Sequence, residues 1–287
     1  MQKNQTDNAH LIPLTDRGLL LLTGEQVDAF LQGLTTCNIN NLTPDNALYG
    51  VHLTHQGRVL YDFFALRWKN GIILDCHKET LMAFAKNLHS HKMRYDIEFE
   101  DLSDDYFIYA DIQQSSPPGH RQDDGDTITY GDPRLPVMGT RLITPHNLTT
   151  TQTLDTYHDH RIHNTVPDVA FDGTPGKTIV SELCLEYLNG VDYYKGCYMG
   201  QEMTARTHFR SPPKKRLAAV EYEGDAPAPN TPIKAGKLPV GEIYSCHNGH
   251  GIAIVRVAKA LAADAVLTAD GQPVTAKKPA WADYSIE

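Results

Sequence analysis

The run Tyr194-Lys195-Gly196-Cys197-Tyr198-Met199-Gly200-Gln201-Glu202-Met203-Thr204-Ala205-Arg206 places a thiol, an amine, two glycines and an acid–base pair close together. Gly196 precedes Cys197 and Gly200 follows it, so the backbone can approach another group closely and leave the thiol accessible. Gln201 to Phe209 holds good helix formers, with Glu202 and Arg206 spaced i, i+4, which predicts a helix starting near Gly200. Cys197 then lies just ahead of a helix N-terminus. The helix dipole and Lys195 both favour a thiolate, the form that attacks electrophiles, forms mixed disulfides and ligates metals. The competing reading is a buried, inert cysteine in a tight turn.

Other groupings suggest chemistry less strongly. His158, His160 and His163 cluster, and further histidines stand at His52, His55, His89 and His91. No cysteine or helical H-E-x-x-H spacing accompanies them, so they read as solvated or singly bonded side chains and no metal is assigned. Gly173-Thr174-Pro175-Gly176-Lys177-Thr178 ends like a phosphate loop, but its glycines are too close and Pro175 lacks an amide donor, so it reads as a turn. Lys214-Lys215-Arg216, with Arg210 nearby, reads as a solvated linker rather than an RNA site.

These residues need a scaffold. Leu11 to Leu14 and Gly18 to Gly24 read as short buried strands. Val27, Phe30, Leu31 and Leu34 then recur at helical spacing, with Thr23 as cap and Gln26 closing a capping box. Alternation at Tyr49, Val51 and Leu53, the turn at Gln56-Gly57, and Val59, Tyr61, Phe63 and Ala65 predict a hairpin whose second arm carries Asp62. Ile72 to Leu74 is a further strand, Glu79 to His91 a helix, and Ile97 to Leu102 and Tyr106 to Ala110 are strands again. Residues 113–127 read as a surface loop by composition. Ser211-Pro212-Pro213 marks the clearest boundary. Beyond it, Leu217 to Tyr222, Gly241 to Ser245, Ile252 to Val257 and Ala265 to Leu267 are short strands of a small β barrel or sandwich. The class is α+β, divided into residues 1–212, with two subdomains, and a β-barrel domain at 213–287.

Length and composition agree with this. With 287 residues, more than one domain is expected, and 41% apolar with 21% charged residues is the composition of a compact globular chain. The net charge of −9 opposes general nucleic-acid binding, so an anionic ligand needs a local basic pocket. The longest apolar run, around Leu19 to Leu22, is too short for a membrane span, and the polar start lacks a secretory pattern. The five cysteines are scattered, with no C-x-x-C spacing, which suits a reducing compartment. A cytosolic monomer is expected, with no membrane association.

The string Lys195-Gly196-Cys197-Tyr198-Met199-Gly200-Gln201-Glu202, continued by Arg206, resembles the K-G-C-[FY]-x-G-Q-E signature of YgfZ-type proteins, relatives of the glycine-cleavage T-protein that include mitochondrial iron–sulfur assembly factors. The likeness extends through Leu31-Gln32-Gly33-Leu34-Thr35-Thr36, Gly57-Arg58-Val59-Leu60-Tyr61-Asp62, Asp132-Pro133-Arg134 and Val166-Pro167, and the Gly57 to Asp62 stretch is closer to the mitochondrial branch. The resemblance implies an aminomethyltransferase-like folate-binding fold of two interleaved α+β subdomains plus the barrel, in a three-domain ring. It also implies tetrahydrofolate or a derivative as cofactor and iron–sulfur client enzymes or assembly proteins as partners, among them tRNA-modifying methylthiotransferases. In a eukaryote, the place would be the mitochondrial matrix.

On that resemblance, Asp62 corresponds to the acidic residue that works beside the reactive end of the folate, while Tyr61 departs from the doubled Asp-Asp of aminomethyltransferases. Tyr157 falls where an aromatic stacks on the pterin, and Arg17 replaces a tryptophan, though a guanidinium also stacks or holds a carboxylate. Gln201, Glu202 and Arg206 of the signature are further implied cofactor contacts. Cys197, Lys195 and Asp62 are the implied chemical residues. Three readings stand: a folate-dependent assembly, maintenance or repair factor acting through Cys197; a folate-dependent aminomethyltransferase or other one-carbon transferase centred on Asp62; and a folate-binding scaffold. The first is favoured because aminomethyl transfer needs a carboxylate and positioning more than a thiolate.

Overall fold

The computed structural model describes residues 8–93, 95–210 and 213–286. The chain starts with β1 (Ile12–Pro13), β2 (Arg17–Thr23), α1 (Val27–Leu34), β3 (Ala47–Leu53), β4 (Val59–Trp68), β5 (Gly71–His77) and α2 (Lys78–Ser90). Next come β6 (Glu98–Asp101), β7 (Phe107–Asp111), β8 (Arg121–Asp124), β9 (Thr127–Gly131), β10 (Thr140–Thr144), α3 (Leu154–His163) and α4 (Gln201–Phe209). The last elements are β11 (Lys215–Tyr222), β12 (Thr231–Ala235), β13 (Leu238–His247), β14 (His250–Arg256), α5 (Val257–Ala260), β15 (Leu267–Ala269) and β16 (Gln272–Lys277). This is the α+β class expected. Among the described residues no helix is long and apolar enough to cross a membrane.

Two compact units are formed. The first comprises the described residues of Met1–Leu53, Tyr61–Tyr157 and Leu188–Met199. It holds two five-stranded sheets, ordered β3-β4-β5-β2-β6 and β1-β7-β10-β9-β8. In the former, α1 and α2 cover one face, burying Phe30, Leu31, Phe84 and Leu88 against Leu20, Leu22, Phe63, Ala65, Ile72 and Leu74. Each such side chain contributes roughly 1.5–3 kcal/mol on leaving water.

Strand periodicity then fixes what the opposite face carries. Ile72 and Leu74 face the helices, so Asp75 between Leu74 and Cys76 faces away. Phe63 and Ala65 face the helices, so Asp62 and Phe64 face away as well. Tyr61, on the helix side, stacks on Phe84 with ring centroids 4.8 Å apart. Tyr130 of β9 and Arg141 of β10, register partners in the second sheet, reach Asp75 from the other side. Polar side chains therefore meet between the two sheets of this unit.

The second unit comprises the described residues of Thr54–Leu60, His158–Tyr187 and Gly200–Glu287. Its six strands close in the order β11-β14-β13-β12-β15-β16, and closure removes the sheet edges. Ala218, Val220, Ile233, Ile243, Ala253, Val255 and Leu267 fill the interior. Gly241 is required by close approach of β14, since a Cβ there would lie 2.7 Å from Val255 Cγ1 and 2.8 Å from the Ile254 carbonyl oxygen.

Four sequence readings change. Thr23 ends β2 instead of capping α1; the cap position is Gln26, whose side chain accepts the Asp96 amide at 3.1 Å. The 113–127 loop contains edge strand β8, whose Arg-Gln-Asp-Asp sequence has no apolar alternation and which pairs through its backbone with β9. The barrel also uses β12 and β16, each carrying a proline and a single buried side chain, Ile233 and Val274 respectively. The last predicted strand shifts to Leu267–Ala269.

Candidate functional site

In the first unit, the resemblance-derived residues Arg17, Asp62 and Tyr157 come together in a buried ionic layer. Arg17 Nε donates to Asp75 Oδ1 at 2.8 Å and its Nη2 to the Asp75 carbonyl at 2.7 Å. Arg141 Nη2 and the Tyr130 hydroxyl donate to Asp75 Oδ2 at 2.7 and 3.0 Å. The Tyr157 hydroxyl accepts from Arg134 Nη2 at 2.8 Å and from Arg141 Nη1 at 3.1 Å. Arg134 is in turn forked onto Asp132, at 3.0 and 2.7 Å. Asp62 Oδ2 accepts from the Tyr49 hydroxyl at 3.2 Å, and its Oδ1 lies 4.0 Å from Arg17 Nη1. The guanidinium carbons of Arg141, Arg134 and Arg17 lie 4.3, 5.0 and 5.4 Å from the Phe64 ring centroid. Phe64 thus supplies a π surface for three cations in a dry setting.

Burial alone would raise the Asp75 and Asp132 carboxyls. The charges of Arg141 and Arg17 on Asp75, and of Arg134 on Asp132, outweigh it and hold both below the usual carboxylate range. Desolvation would lower Arg134 and Arg141, but Asp132 and Asp75 keep both guanidiniums firmly charged. Arg17 does hold a carboxylate, and it is one of the protein's own. It also lines a cavity of about 380 Å³ with Lys78, Tyr106 and Tyr109.

The Cys197 loop is built differently. The Gln32–Asn38 stretch leaving α1 ties it down repeatedly: Gln32 Nε2 to the Lys195 carbonyl at 3.1 Å, the Met199 amide to the Gly33 carbonyl at 2.9 Å, Thr36 Oγ1 to the Gly190 carbonyl at 2.6 Å, and Asn38 Nδ2 to Asp192 Oδ2 at 3.1 Å. Two of the stretches that carry the family likeness, Leu31–Thr36 and the cysteine signature, therefore meet in space. Cys197 is exposed, whereas Cys37, Cys76 and Cys184 are buried and Cys246 is half-buried. Gly196 has φ +95° with open space where a Cβ would sit, so backbone conformation alone demands glycine there. Gly200, at φ +81°, caps α4, which starts at Gln201 as predicted.

Lys195 departs from the role read from its position. Its amine donates to the Thr35 and Cys37 carbonyls at 2.6 and 2.5 Å and lies 5.2 Å from the Tyr198 ring centroid. Desolvation pulls it down to about 8, against the opposing influence of Cys37 and Asp192. The amine anchors the loop to the end of α1. Burial pushes the Cys37 thiol up, with Lys195 opposing.

The C-terminal barrel matches the family described as CAF17, C-terminal beta-barrel domain, over residues 214–284. The mitochondrial iron-sulfur cluster assembly factor IBA57 of Mus musculus is 30% identical, with 93% of this chain and 84% of that protein aligned. This chain belongs to the IBA57 family of iron–sulfur cluster assembly factors. The Homo sapiens IBA57 is 29% identical over 84% of this chain and 76% of its own length. The Neurospora crassa homolog is 29% identical over 78% of this chain, which spans only 56% of that protein. The crystal structure of the glycine cleavage system aminomethyltransferase T from Bartonella henselae superposes with a TM-score of 0.77 at 12% identity, covering 96% of this chain and 87% of that one. That likeness establishes the aminomethyltransferase-like fold.

Seen as an IBA57-family chain, the remaining candidates fall elsewhere. Gln201, Glu202 and Arg206 lie on α4 in the second unit, with Glu202 and Arg206 exposed. His158 Nδ1 accepts from Arg161 Nε at 2.9 Å, and the His163 and His250 rings meet edge to face at 4.5 Å. Among the described residues no three His, Cys, Asp or Glu side chains group as a metal site. Sequence reasoning missed Asp75, Tyr130 and Arg141. The signal was a lone charge in an apolar strand, Ile72-Ile73-Leu74-Asp75-Cys76, which requires a buried partner.

Proposed function

We propose that this chain assembles, maintains or repairs iron–sulfur enzymes, including tRNA-modifying methylthiotransferases, with Cys197 as the group that meets the cluster or a partner thiol. The supporting observation is the contrast among cysteines: Cys197 is exposed on a loop pinned to α1, and Cys37, Cys76 and Cys184 are buried. A thiolate is a soft ligand and a nucleophile, and a single one needs further ligands from the partner protein to hold a cluster as cargo. Tetrahydrofolate or a derivative is the proposed cofactor. The fold supports this, as does the cavity beside Arg17, where the exposed Lys78 suits a carboxylate and Tyr106 and Tyr109 suit a flat ring. When bound, the folate would supply one-carbon or ring-nitrogen chemistry. Asp62, already bonded by Tyr49 and beside Arg17, lends the one-carbon-transferase reading no added weight.

The names of the relatives are mitochondrial and give the cytosolic expectation no support; a mitochondrial matrix location in a eukaryotic cell belongs to this proposal. So do the 1–212 and 213–287 division and the monomeric state. The test is anaerobic purification, calorimetric titration with tetrahydrofolate, and assay of an iron–sulfur client with wild-type protein and Cys197→Ser. Reduced folate should bind at a Kd of roughly micromolar order. Cys197→Ser should fold, bind folate and fail to support the client. Full client support by the variant overturns the role of Cys197, and absence of binding heat at millimolar folate overturns the cofactor.

A further inference from the structure

Within the second unit lies a cavity of about 600 Å³, formed by the C-terminal half of α3, the segment after it, the β11–β12 loop and β13. Its volume is that of small-molecule sites, and Ile162, Ala170, Phe171, Pro227, Pro229 and Tyr244 give it largely apolar walls. Phe171 is 40% exposed, and His158 meets its ring edge-on at 5.3 Å.

The polar lining has a buried, charge-balanced centre at Arg161 and Ser245 and a half-buried rim at His158, Cys246 and His247, where His247 Nδ1 lies 2.7 Å from Asp159 Oδ1. Arg161, 2% exposed, donates through Nη1 to Asp172, which is fully buried, and through Nη2 to Ser245 Oγ at 3.2 Å. A guanidinium compensated in this way offers a charged ligand no net attraction to offset its loss of water. Ser245 is 8% exposed and accepts from Arg161, so its hydroxyl hydrogen is available to an acceptor. Cys246 lines the same cavity; burial and the nearby Asp172 push its thiol up to about 11, so it too presents a hydrogen rather than a charge.

We propose that this cavity binds an uncharged, flat aromatic ligand bearing a hydrogen-bond acceptor, a ring carbonyl or ring nitrogen, with the acceptor at Ser245 and the ring against Phe171. Size, apolar walls, internal charge balance and the Ser245 hydrogen all select the same class.

Cys246 makes the site testable in the full chain. In a Cys197→Ser background, disulfide exchange at mildly alkaline pH and graded mercaptoethanol compares four thiol fragments: quinoline, cyclohexyl, carboxylate and ammonium. Mass spectrometry of the peptide carrying Cys246 reads the reductant concentration that displaces half of each fragment. The quinoline should withstand roughly tenfold more reductant than the others, a preference of about 1.4 kcal/mol. Phe171→Ala and Ser245→Ala should each reduce that preference, with circular dichroism confirming that both fold; the exposed Phe171 keeps the test meaningful if Ser245→Ala does not. Equal retention of all four fragments, stronger retention of a charged one, or a quinoline preference unchanged in folded Phe171→Ala overturns the proposal.

Discussion

The ionic layer and the Cys197 loop belong to the same compact unit and use polar chemistry in opposite ways. In the layer, Arg17, Arg134 and Arg141 are matched by Asp62, Asp75 and Asp132, and almost every donor has found an acceptor inside the protein. In the loop, the backbone and Lys195 are bonded while the cysteine faces solvent. A buried network of that kind resists change because removing one member leaves a charge without water or partner. A reactive thiol needs the reverse, a firm backbone under an accessible side chain. The two regions separate what holds the unit together from what is presented to a partner.

Asp75→Ala is the strongest way to break this comparison. It leaves Arg17 and Arg141 buried without their shared carboxylate and should cost about 3–5 kcal/mol in urea unfolding, far more than Cys197→Ser. Comparable stability for the two variants would mean that water fills the layer.

Acid should act on the same layer. The folded-state carboxyls of Asp75 and Asp132 lie below their unfolded values, so their stabilisation is complete above an unfolded pKa of about 3.9 and disappears as pH falls through the lower folded values. Lys195 works on the alkaline side with the opposite slope. Its folded pKa of about 8 is below the unfolded one, so its burial costs stability at neutral pH, and that cost shrinks as pH rises from about 8 toward about 10.4. Urea midpoints across pH should show the acid loss in wild type and Asp62→Asn alike, and the alkaline gain should be absent from Lys195→Met.

Lys195→Met also sharpens the loop side of the comparison. Losing the bonds to the Thr35 and Cys37 carbonyls while removing a buried charge should change global stability by only about 1–2 kcal/mol. Hydrogen exchange should nevertheless accelerate across residues 188–199, whereas the β5 amides should stay protected. The smallest effect belongs to Tyr61→Phe. Its ring stacks on Phe84 and its hydroxyl is only partly buried, so a change within about 0.5 kcal/mol is expected, with folate-linked function reduced less than in Asp62→Asn. Equal functional loss in the two variants would return Asp62 to a packing role.

Much of the architecture was legible because apolar periodicity survives without tertiary context. β2, β4, β5, α1 and α2 lie where that pattern put them, α4 lies where its helix formers and the Glu202–Arg206 spacing put it, and the glycine-flanked Cys197 sits exposed before α4. β8, β12 and β16 were illegible for a physical reason. Backbone pairing with a neighbour holds them in place, and at most one side chain in each is buried.

The site divides along the same line. Residue types and period two were enough to set Asp62 and Tyr61 on opposite faces of β4, and residue types alone singled out Cys197. The destination of each charge was decided only by the tertiary structure. Arg17, read from the resemblance as a ligand contact, is bonded to Asp75 on β5, and Lys195, read as an activator of its neighbour, reaches the carbonyls that end α1. Long flexible cations can reach in many directions, and in a dry interior they go to whichever acceptor another part of the chain brings within hydrogen-bond distance. That choice is made by folding, between residues far apart in sequence.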